Sequence, residues 1–173
     1  MTTTSSPDPT TVTLDRATRV VTFERVFAAP RTVVFDAFTS CEQLSKWWGP
    51  KDWSLPFCQQ DFRTGGVWHY GMQGPPDDPQ FGQTVAYGMA IYEVIDQPER
   101  IAWRDHFADA DGNPLPDTPV IDFEVRFEDL GASTRMISTS TFASVEDFDA
   151  THAMGMVEGY KMTLDRLDQT LSA

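Results

Sequence analysis

The sequence has few cysteines: among its 173 residues, only Cys41 and Cys58 are of this type. Two cysteines are too few for a disulfide framework, and no Cys-x-x-Cys spacing or Cys/His cluster indicates a zinc site. The histidines, His69, His106 and His152, stand far apart without the short spacing of metal ligands. We therefore predict two free, partly buried thiols, no metal site and no cofactor.

The sequence also lacks basic charge, with 13 Lys and Arg residues against 26 Asp and Glu residues and a net charge of −13. Nucleic-acid backbones and anionic membrane surfaces are bound by clustered Lys and Arg, so this balance argues against both partners. No apolar run approaches the roughly 18–20 residues of a membrane span. The N-terminus has neither the basic start nor the apolar stretch of a secretory signal. We predict no nucleic-acid partner, no membrane insertion and a cytoplasmic location.

The length of the chain predicts one domain, preceded by an N-terminal arm. Residues 1–18 are rich in Thr, Ser, Pro and Asp, and we expect them to form a flexible arm. Ordered structure is predicted to begin with the alternating segment 19–27, which is typical of a strand. The single domain then extends over residues 19–173, without internal repeats.

Two short helices are predicted after this first strand. Pro30 suits the first turn of the first helix. The second helix begins near Cys41 and runs to the tryptophan pair at 47–48. Gly-Pro at 49–50 ends it, because proline disfavours helical backbone in the residue before it.

The remaining chain predicts antiparallel strands followed by a single helix. Turns rich in Gly, Pro and Asp separate the strands. A helix of about 27 residues starts at Ser144, its N-cap, with Asp147 in the first turn. The fold class is therefore α+β, with a curved antiparallel sheet of about six to seven strands wrapped around a long C-terminal helix. A cavity is expected between the sheet and the helix.

Motifs spread over residues 20–171 resemble one known family, in the family's order. They are APRTVVFDAFTS…LSKWWGP, DFRTGGVWHYGM, YEVIDQPERIAW, STRMISTSTF and GYKMTLDRLDQTL. They are similar to the branch of the START-like (helix-grip, SRPBCC) superfamily named after the activator of heat-shock protein 90 ATPase. One departure is Tyr160, where the family often has tryptophan. The resemblance implies a helix-grip fold and a hydrophobic cavity, because superfamily members bind lipids, hormones, polyketides and other secondary metabolites.

The family name does not imply chaperone activation for this chain. The eukaryotic activators resemble it in only one of their two domains, and their chaperone stimulation relies largely on the other. No basic patch suited to a chaperone partner is evident in the sequence. We expect no direct chaperone contact, and a stress-response interaction module remains the third interpretation.

Candidate cavity residues are aromatic or soft side chains on the faces predicted to point inward. Trp68, Tyr70 and Met72 alternate on one strand, and Gly88 belongs to a face of small residues that leaves room beside it. Phe81, in the loop 74–82, is the predicted lid residue. The same residues also suit ordinary core packing, which is the competing interpretation. The predicted ligand-binding residues are Trp48, Trp68, Tyr70, Met72, Phe81, Gly88, Trp103, Phe123, Met156 and Tyr160.

The loop 108–119, ADADGNPLPDTP, invites a calcium interpretation because Asp and Asn occupy its first, third and fifth ligand positions. Pro114 stands where an EF-hand loop needs glycine and Val120 where it needs glutamate, so we reject a calcium site. We predict instead that this loop lies at the cavity mouth.

Catalytic candidates are few. Asp105, Arg104 and His152 could act as acid–base groups in the cavity, as polar groups do in superfamily cyclases. Their competing interpretation is that they are polar surface residues. Strand alternation places His69 opposite Trp68 and Tyr70, on the outer face.

The leading hypothesis is non-catalytic binding of an apolar or aromatic small molecule, such as a natural product, for carriage, sensing or sequestration. In that interpretation Trp47 packs into the body of the domain and Trp48 faces the cavity. The alternative is a polyketide-cyclase-like or hydrolase-like enzyme that uses the same cavity. We expect a monomer or a weak dimer.

Overall fold

The computed structural model describes residues 8–173, so residues 1–7 of the predicted arm lie outside the described residues. The elements in chain order are β1 (Thr11–Asp15), β2 (Val20–Phe27), α1 (Arg31–Asp36), α2 (Cys41–Leu44), β3 (Ser54–Gln60), β4 (Val67–Gln73), β5 (Val85–Asp96), β6 (Arg100–Ala108), β7 (Val120–Asp129), β8 (Thr134–Phe142), α3 (Val145–Ala153) and α4 (Met156–Leu171). None of the helices in this part of the chain is long and apolar enough to span a membrane.

The strands form one antiparallel 8-stranded sheet with the order β1-β2-β8-β7-β6-β5-β4-β3. The α+β class and the helix-grip architecture are thus confirmed, with a slightly higher strand count than predicted. The additional strand is β1, which pairs with β2 from Thr11↔Glu24 to Asp15↔Val20. Residues 11–15 therefore form a strand, although the sequence predicts a flexible arm over residues 1–18. Its β-branched Thr and Val residues favour an extended strand once β2 offers an edge.

The C-terminal segment is two helices, whereas the sequence predicts a single one. The predicted N-cap is present, since the Ser144 hydroxyl accepts a hydrogen bond of 3.0 Å from the Asp147 backbone N–H. The helix α3 then ends before Gly155, whose φ of 85° lies in the left-handed region that glycine adopts without steric cost. The break at Gly155 changes the chain direction and separates α3 from α4.

A disulfide joins Cys41, the first residue of α2, to Cys58 on β3, with their Cα atoms 5.8 Å apart. The prediction of two free thiols was therefore wrong. The cysteines are 17 residues apart and carry no motif, so only the fold brings them together. The helix α2 ends at Leu44, earlier than predicted, and turns carry the chain on to Trp47 and Trp48.

The core lies between the sheet and the helices, and α4 contributes the fully buried Leu164 and Leu167. A buried arginine fixes this helix over β2. One guanidinium nitrogen of Arg25 lies 2.5 Å from a carboxylate oxygen of Asp165, and another lies 3.3 Å from Asp168. These ion pairs, together with the two leucines, anchor the C-terminal half of α4.

Candidate functional site

The inner face of the sheet and the helices α3 and α4 line a mostly apolar cavity of about 340 Å³ that is open to solvent on one side. This volume lies toward the small end of the roughly 300–1,000 Å³ typical of small-molecule sites. Most of the predicted ligand-binding residues form its wall. They are Trp48, Tyr70, Met72, Phe81, Gly88, Phe123, Met156 and Tyr160.

The tryptophan pair packs in two layers. Trp47 is fully buried, and its indole N–H donates a 3.0 Å hydrogen bond to the Ala37 carbonyl. Trp48 lines the cavity, with its ring edge-on to Trp47 at 5.4 Å between centroids. The guanidinium of Arg166 on α4 donates to the Gly49 carbonyl at 2.9 Å, which ties the segment after the pair to the closing helix.

Trp68 and Trp103 lie behind the wall instead of in it. They are 1% and 2% exposed, and neither borders the cavity. Trp68 packs 4.4 Å from the Tyr70 ring, and Trp103 stacks on Phe123 at 5.4 Å. These two predicted ligand-binding residues therefore form a supporting layer behind the rings of Trp48, Tyr70 and Phe123.

The space beside Gly88 is already occupied. Gly88 pairs with Tyr70 across the adjoining strands, and a Cβ atom added to it would lie 2.5 Å from the Tyr70 hydroxyl oxygen. The Tyr70 side chain therefore fills the room that the face of small residues leaves. Gly88 shapes the cavity indirectly, by allowing Tyr70 to lie flat across β5.

Asp105 is the one catalytic candidate that faces the cavity. The Tyr70 hydroxyl lies 3.0 Å from both of its carboxylate oxygens, and the Trp103 indole N–H donates to one of them at 3.3 Å. Burial among apolar groups raises the pKa of Asp105 from 3.8 to about 7, although the hydrogen bonds from Tyr70 and Trp103 oppose this shift. A carboxyl group that titrates near neutral pH is therefore part of the cavity wall.

Arg104 and His152 lie outside the cavity. Successive strand residues point to opposite faces, so Arg104 points outward where its neighbour Asp105 points inward. Its guanidinium donates a 2.8 Å hydrogen bond to Asp122 on the outer face. His152 is an exposed residue of α3. The structure does not bring these two candidates to Asp105.

His69 is on the outer face, as the alternation predicts, yet it is only 8% exposed. The loop after β6 covers it: its Nε2 lies 3.1 Å from the Asp109 carbonyl oxygen. The Asp109 carboxylate accepts hydrogen bonds from the backbone of Asp111 and Asn113, each at 2.9 Å. This part of the loop therefore lies away from the cavity, which only its last residue, Pro119, borders. Within residues 8–173, no group of His, Cys, Asp and Glu is arranged to hold a metal ion.

The cavity mouth contains residues that the sequence did not single out. Trp53 packs against Phe81, with their ring centroids 5.2 Å apart, and both border the cavity. Met154 is 67% exposed and borders it from the break between α3 and α4. The signal for Met154 was its position before Gly155, a glycine inside a helical pattern. Trp53 follows the turn after the Gly-Pro pair and carried no distinctive pattern.

Tyr160 is hydrogen-bonded across the helix–sheet interface. Its hydroxyl lies 2.8 Å from the fully buried Ser138 hydroxyl on β8, and its ring packs edge-on against Phe23 at 4.6 Å. Burial raises the pKa of Tyr160 to about 12, so it stays neutral at physiological pH. The hydroxyl that distinguishes this residue from the family's tryptophan therefore has a partner on the sheet.

The titration of Asp105 predicts an unusual pH dependence of stability. Its pKa rises on folding from 3.8 to about 7, so the folded protein binds a proton that the unfolded chain has released. Stability from this group is greatest below about pH 4 and is lost as the pH rises through about 7. We expect the wild type to lose about 2 kcal/mol relative to Asp105→Asn between about pH 5 and pH 8. Urea titrations of both proteins across this pH range measure their free energies of unfolding. A difference between the two proteins that does not change with pH would contradict the prediction.

A curved antiparallel sheet that grips a C-terminal helix and encloses an apolar cavity defines a START-like, helix-grip protein. The model of the family described as activator of Hsp90 ATPase homolog 1-like protein matches residues 28–172, and the chain belongs to this family. The predicted resemblance is thus confirmed.

Solved structures of similar proteins share the fold. Protein Ms6760 from Mycobacterium smegmatis is 31% identical, with a TM-score of 0.84 over 95% of this chain and 98% of that one. A protein from Arthrobacter aurescens is 31% identical, with a TM-score of 0.85 over 94% of this chain and 91% of that one. A protein from Staphylococcus epidermidis is 30% identical, with a TM-score of 0.77 over 92% and 93% of the two chains. No curated protein matches the chain.

Proposed function

We propose that this protein binds an apolar, aromatic small molecule in the cavity and leaves it chemically unchanged, for carriage, sensing or sequestration. The observation that carries the proposal is an open, mostly apolar cavity of about 340 Å³ that lies beside a packed aromatic core. Side chains locked in that core hold its walls, since Trp48 and Phe123 rest on Trp68 and Trp103. A pre-formed site reduces the ordering cost of binding.

The wall favours a flat aromatic ligand over a long acyl chain. Its rings meet edge-on, as in the contact of Trp48 with Tyr70 at 6.1 Å, and such rings attract the face or edge of another aromatic group. Burying one aromatic group covers roughly 150–250 Å². At about 25 cal/mol per Å² this contributes about 4–6 kcal/mol before the costs of association.

A neutral aromatic probe tests binding. We expect 2-methylnaphthalene to bind with a single site, to raise the melting temperature and to shift the amide NMR signals of Trp48, Met156 and Gly159. These residues surround the cavity from α4 and from the segment after α2. Mass spectrometry of the recovered probe should show it unchanged. Absence of saturable binding to the folded wild type, across this and related bicyclic aromatics, would overturn the proposal.

Filling the cavity from the helix should abolish binding. Gly159 lines the cavity, and a Cβ atom there would meet only the Pro50 ring, at an ordinary contact distance of 3.5 Å. We expect Gly159→Leu to weaken 2-methylnaphthalene binding at least about tenfold, because the larger side chain occupies the ligand's space. Calorimetry measures the affinity.

Gly159→Ala is the matched control for this variant. It adds a single methyl group, keeps most of the cavity and should raise the free energy of unfolding by about 1 kcal/mol, because alanine favours a helix more than glycine does. Binding by a folded Gly159→Leu variant with wild-type affinity would show that the ligand lies elsewhere.

Asp105 supports a second candidate function, acid–base catalysis of the cyclase or hydrolase type. Its pKa of about 7 suits a general base at neutral pH, and Tyr70 is hydrogen-bonded to it. An enzyme predicts that the natural ligand is recovered altered at catalytic turnover and that Asp105→Asn abolishes turnover. Recovery of the same ligand unchanged from wild type and variant would contradict it.

A further inference from the structure

Asp105 has no charged side chain paired with it in the part of the chain that the structure describes. It is the only acidic residue among those bordering the cavity, and these include neither Lys nor Arg. No ion pair joins its carboxylate to a basic side chain among residues 8–173. The nearest arginine in sequence, Arg104, is paired with Asp122 and Glu93 on the other face of the sheet.

The two hydrogen bonds that Asp105 accepts orient its carboxylate without neutralising it. Both donors are neutral: Tyr70 borders the cavity, and Trp103 lies behind its wall. A carboxylate has about four acceptor positions, so Asp105 can accept further hydrogen bonds. An ionised carboxylate in apolar surroundings is costly unless a cation pairs with it. Among residues 8–173 no Lys or Arg pairs with this carboxylate, which leaves the role to the ligand.

We infer that the cavity selects a hydrophobic amine, whose protonated nitrogen pairs with the Asp105 carboxylate while its aromatic body lies between Trp48 and Phe123. This inference rests on the proposed binding function and names the chemical class of its ligand. Aromatic walls around a carboxylate suit an ammonium group, which is also attracted to ring faces. The net charge of −13 favours the approach of cations. A fatty acid or other carboxylate would meet repulsion from Asp105.

The tyrosines around Asp105 carry no charge that would compete with it for a cation. Burial raises the pKa values of Tyr70 on β4, Tyr92 on β5 and Tyr160 on α4 above that of an ordinary tyrosine, so all three stay neutral near pH 7. His106, the next residue along β6, is a partly buried residue that also borders the cavity.

Three matched probes test the inference: 2-methylnaphthalene, 2-(hydroxymethyl)naphthalene and 2-(aminomethyl)naphthalene. They share one aromatic body, and at about pH 8 only the last is a cation while Asp105 is mostly ionised. We expect calorimetry to show that the wild type binds the amine at least about tenfold more tightly than the alcohol. Asp105→Asn should lose this preference. The control Asp122→Asn removes the same charge from the outer face and should keep it.

Proton release gives a second, independent readout. At pH 7 about half of the Asp105 carboxyl groups carry a proton, which an ammonium ion would displace. Calorimetry in phosphate and in HEPES buffers should therefore detect about half a proton released per amine bound. The alcohol should release none, and neither should the amine on Asp105→Asn.

The outcomes separate this inference from the proposed function. If 2-methylnaphthalene binds but the amine binds no better than the alcohol, or binds without proton release, the assignment of an amine is overturned and the cavity function stands. The same holds if Asp105→Asn keeps the preference for the amine. If none of the three probes binds the wild type, both proposals fall.

Discussion

Replacing Trp47 with alanine is expected to lower the free energy of unfolding by about 3–5 kcal/mol. The side chain is fully buried, with the Phe38 and Trp48 rings at 4.8 Å and 5.4 Å between centroids. Its loss would leave a large cavity and would also deprive the buried Ala37 carbonyl of its indole donor. Chemical denaturation followed by far-UV circular dichroism measures the change, since this signal does not depend on tryptophan fluorescence.

Two further variants serve as controls for the loss of stability in Trp47→Ala. Trp47→Phe keeps most of the ring volume, so we expect it to lose less than half as much stability as Trp47→Ala. Trp53→Ala removes the same type of side chain from the cavity mouth, where Trp53 is only partly buried, and should cost less still. A cost for Trp47→Ala no greater than that for Trp53→Ala would show that Trp47 does not support the structure as described.

Removing the disulfide is expected to cost about 3 kcal/mol. Cys41 and Cys58 are 17 residues apart, and closing a loop of this length restricts the unfolded chain by about that amount. The double variant Cys41→Ala/Cys58→Ala should show the loss at any redox potential. Wild-type protein should show a similar loss only when a reductant is added, and thermal or urea unfolding measures both.

The reductant provides the control for this experiment. It should leave the double variant unaffected, because that chain has no bond to reduce. Alkylation with iodoacetamide of the denatured, unreduced wild type, read by mass spectrometry, should label no thiol. Two labelled cysteines, together with identical unfolding curves with and without reductant, would contradict the disulfide.

The sequence predicted the architecture because local patterns and family motifs agree along the chain. Strand alternation placed Tyr70 and Met72 inward, and both border the cavity. The sequence analysis grouped Asp105 and Arg104 as candidates in the cavity, although alternation places neighbouring strand residues on opposite faces, and only Asp105 borders it. Trp48, in the motif LSKWWGP, was predicted to face the cavity, and it borders it.

The remaining features depend on contacts that no local pattern encodes. The disulfide joins α2 to β3 only after both have packed, so the two cysteines carried no signal. The rings of Trp48 and Tyr70 pack against Trp68 and screen it from the cavity, which the alternation of strand residues cannot reveal. The helix break at Gly155 was missed because helices lie on both sides of it and a single glycine does not by itself end a helical pattern.

For protein engineering, the two halves of α4 differ in how freely they can be changed. The C-terminal half carries Leu164, Leu167 and the aspartates that hold Arg25, so its residues belong to the scaffold. The N-terminal half presents Met156 and Gly159 to the cavity. A combinatorial library confined to the first two turns of this helix would therefore diversify ligand preference while the anchoring half continues to hold the fold.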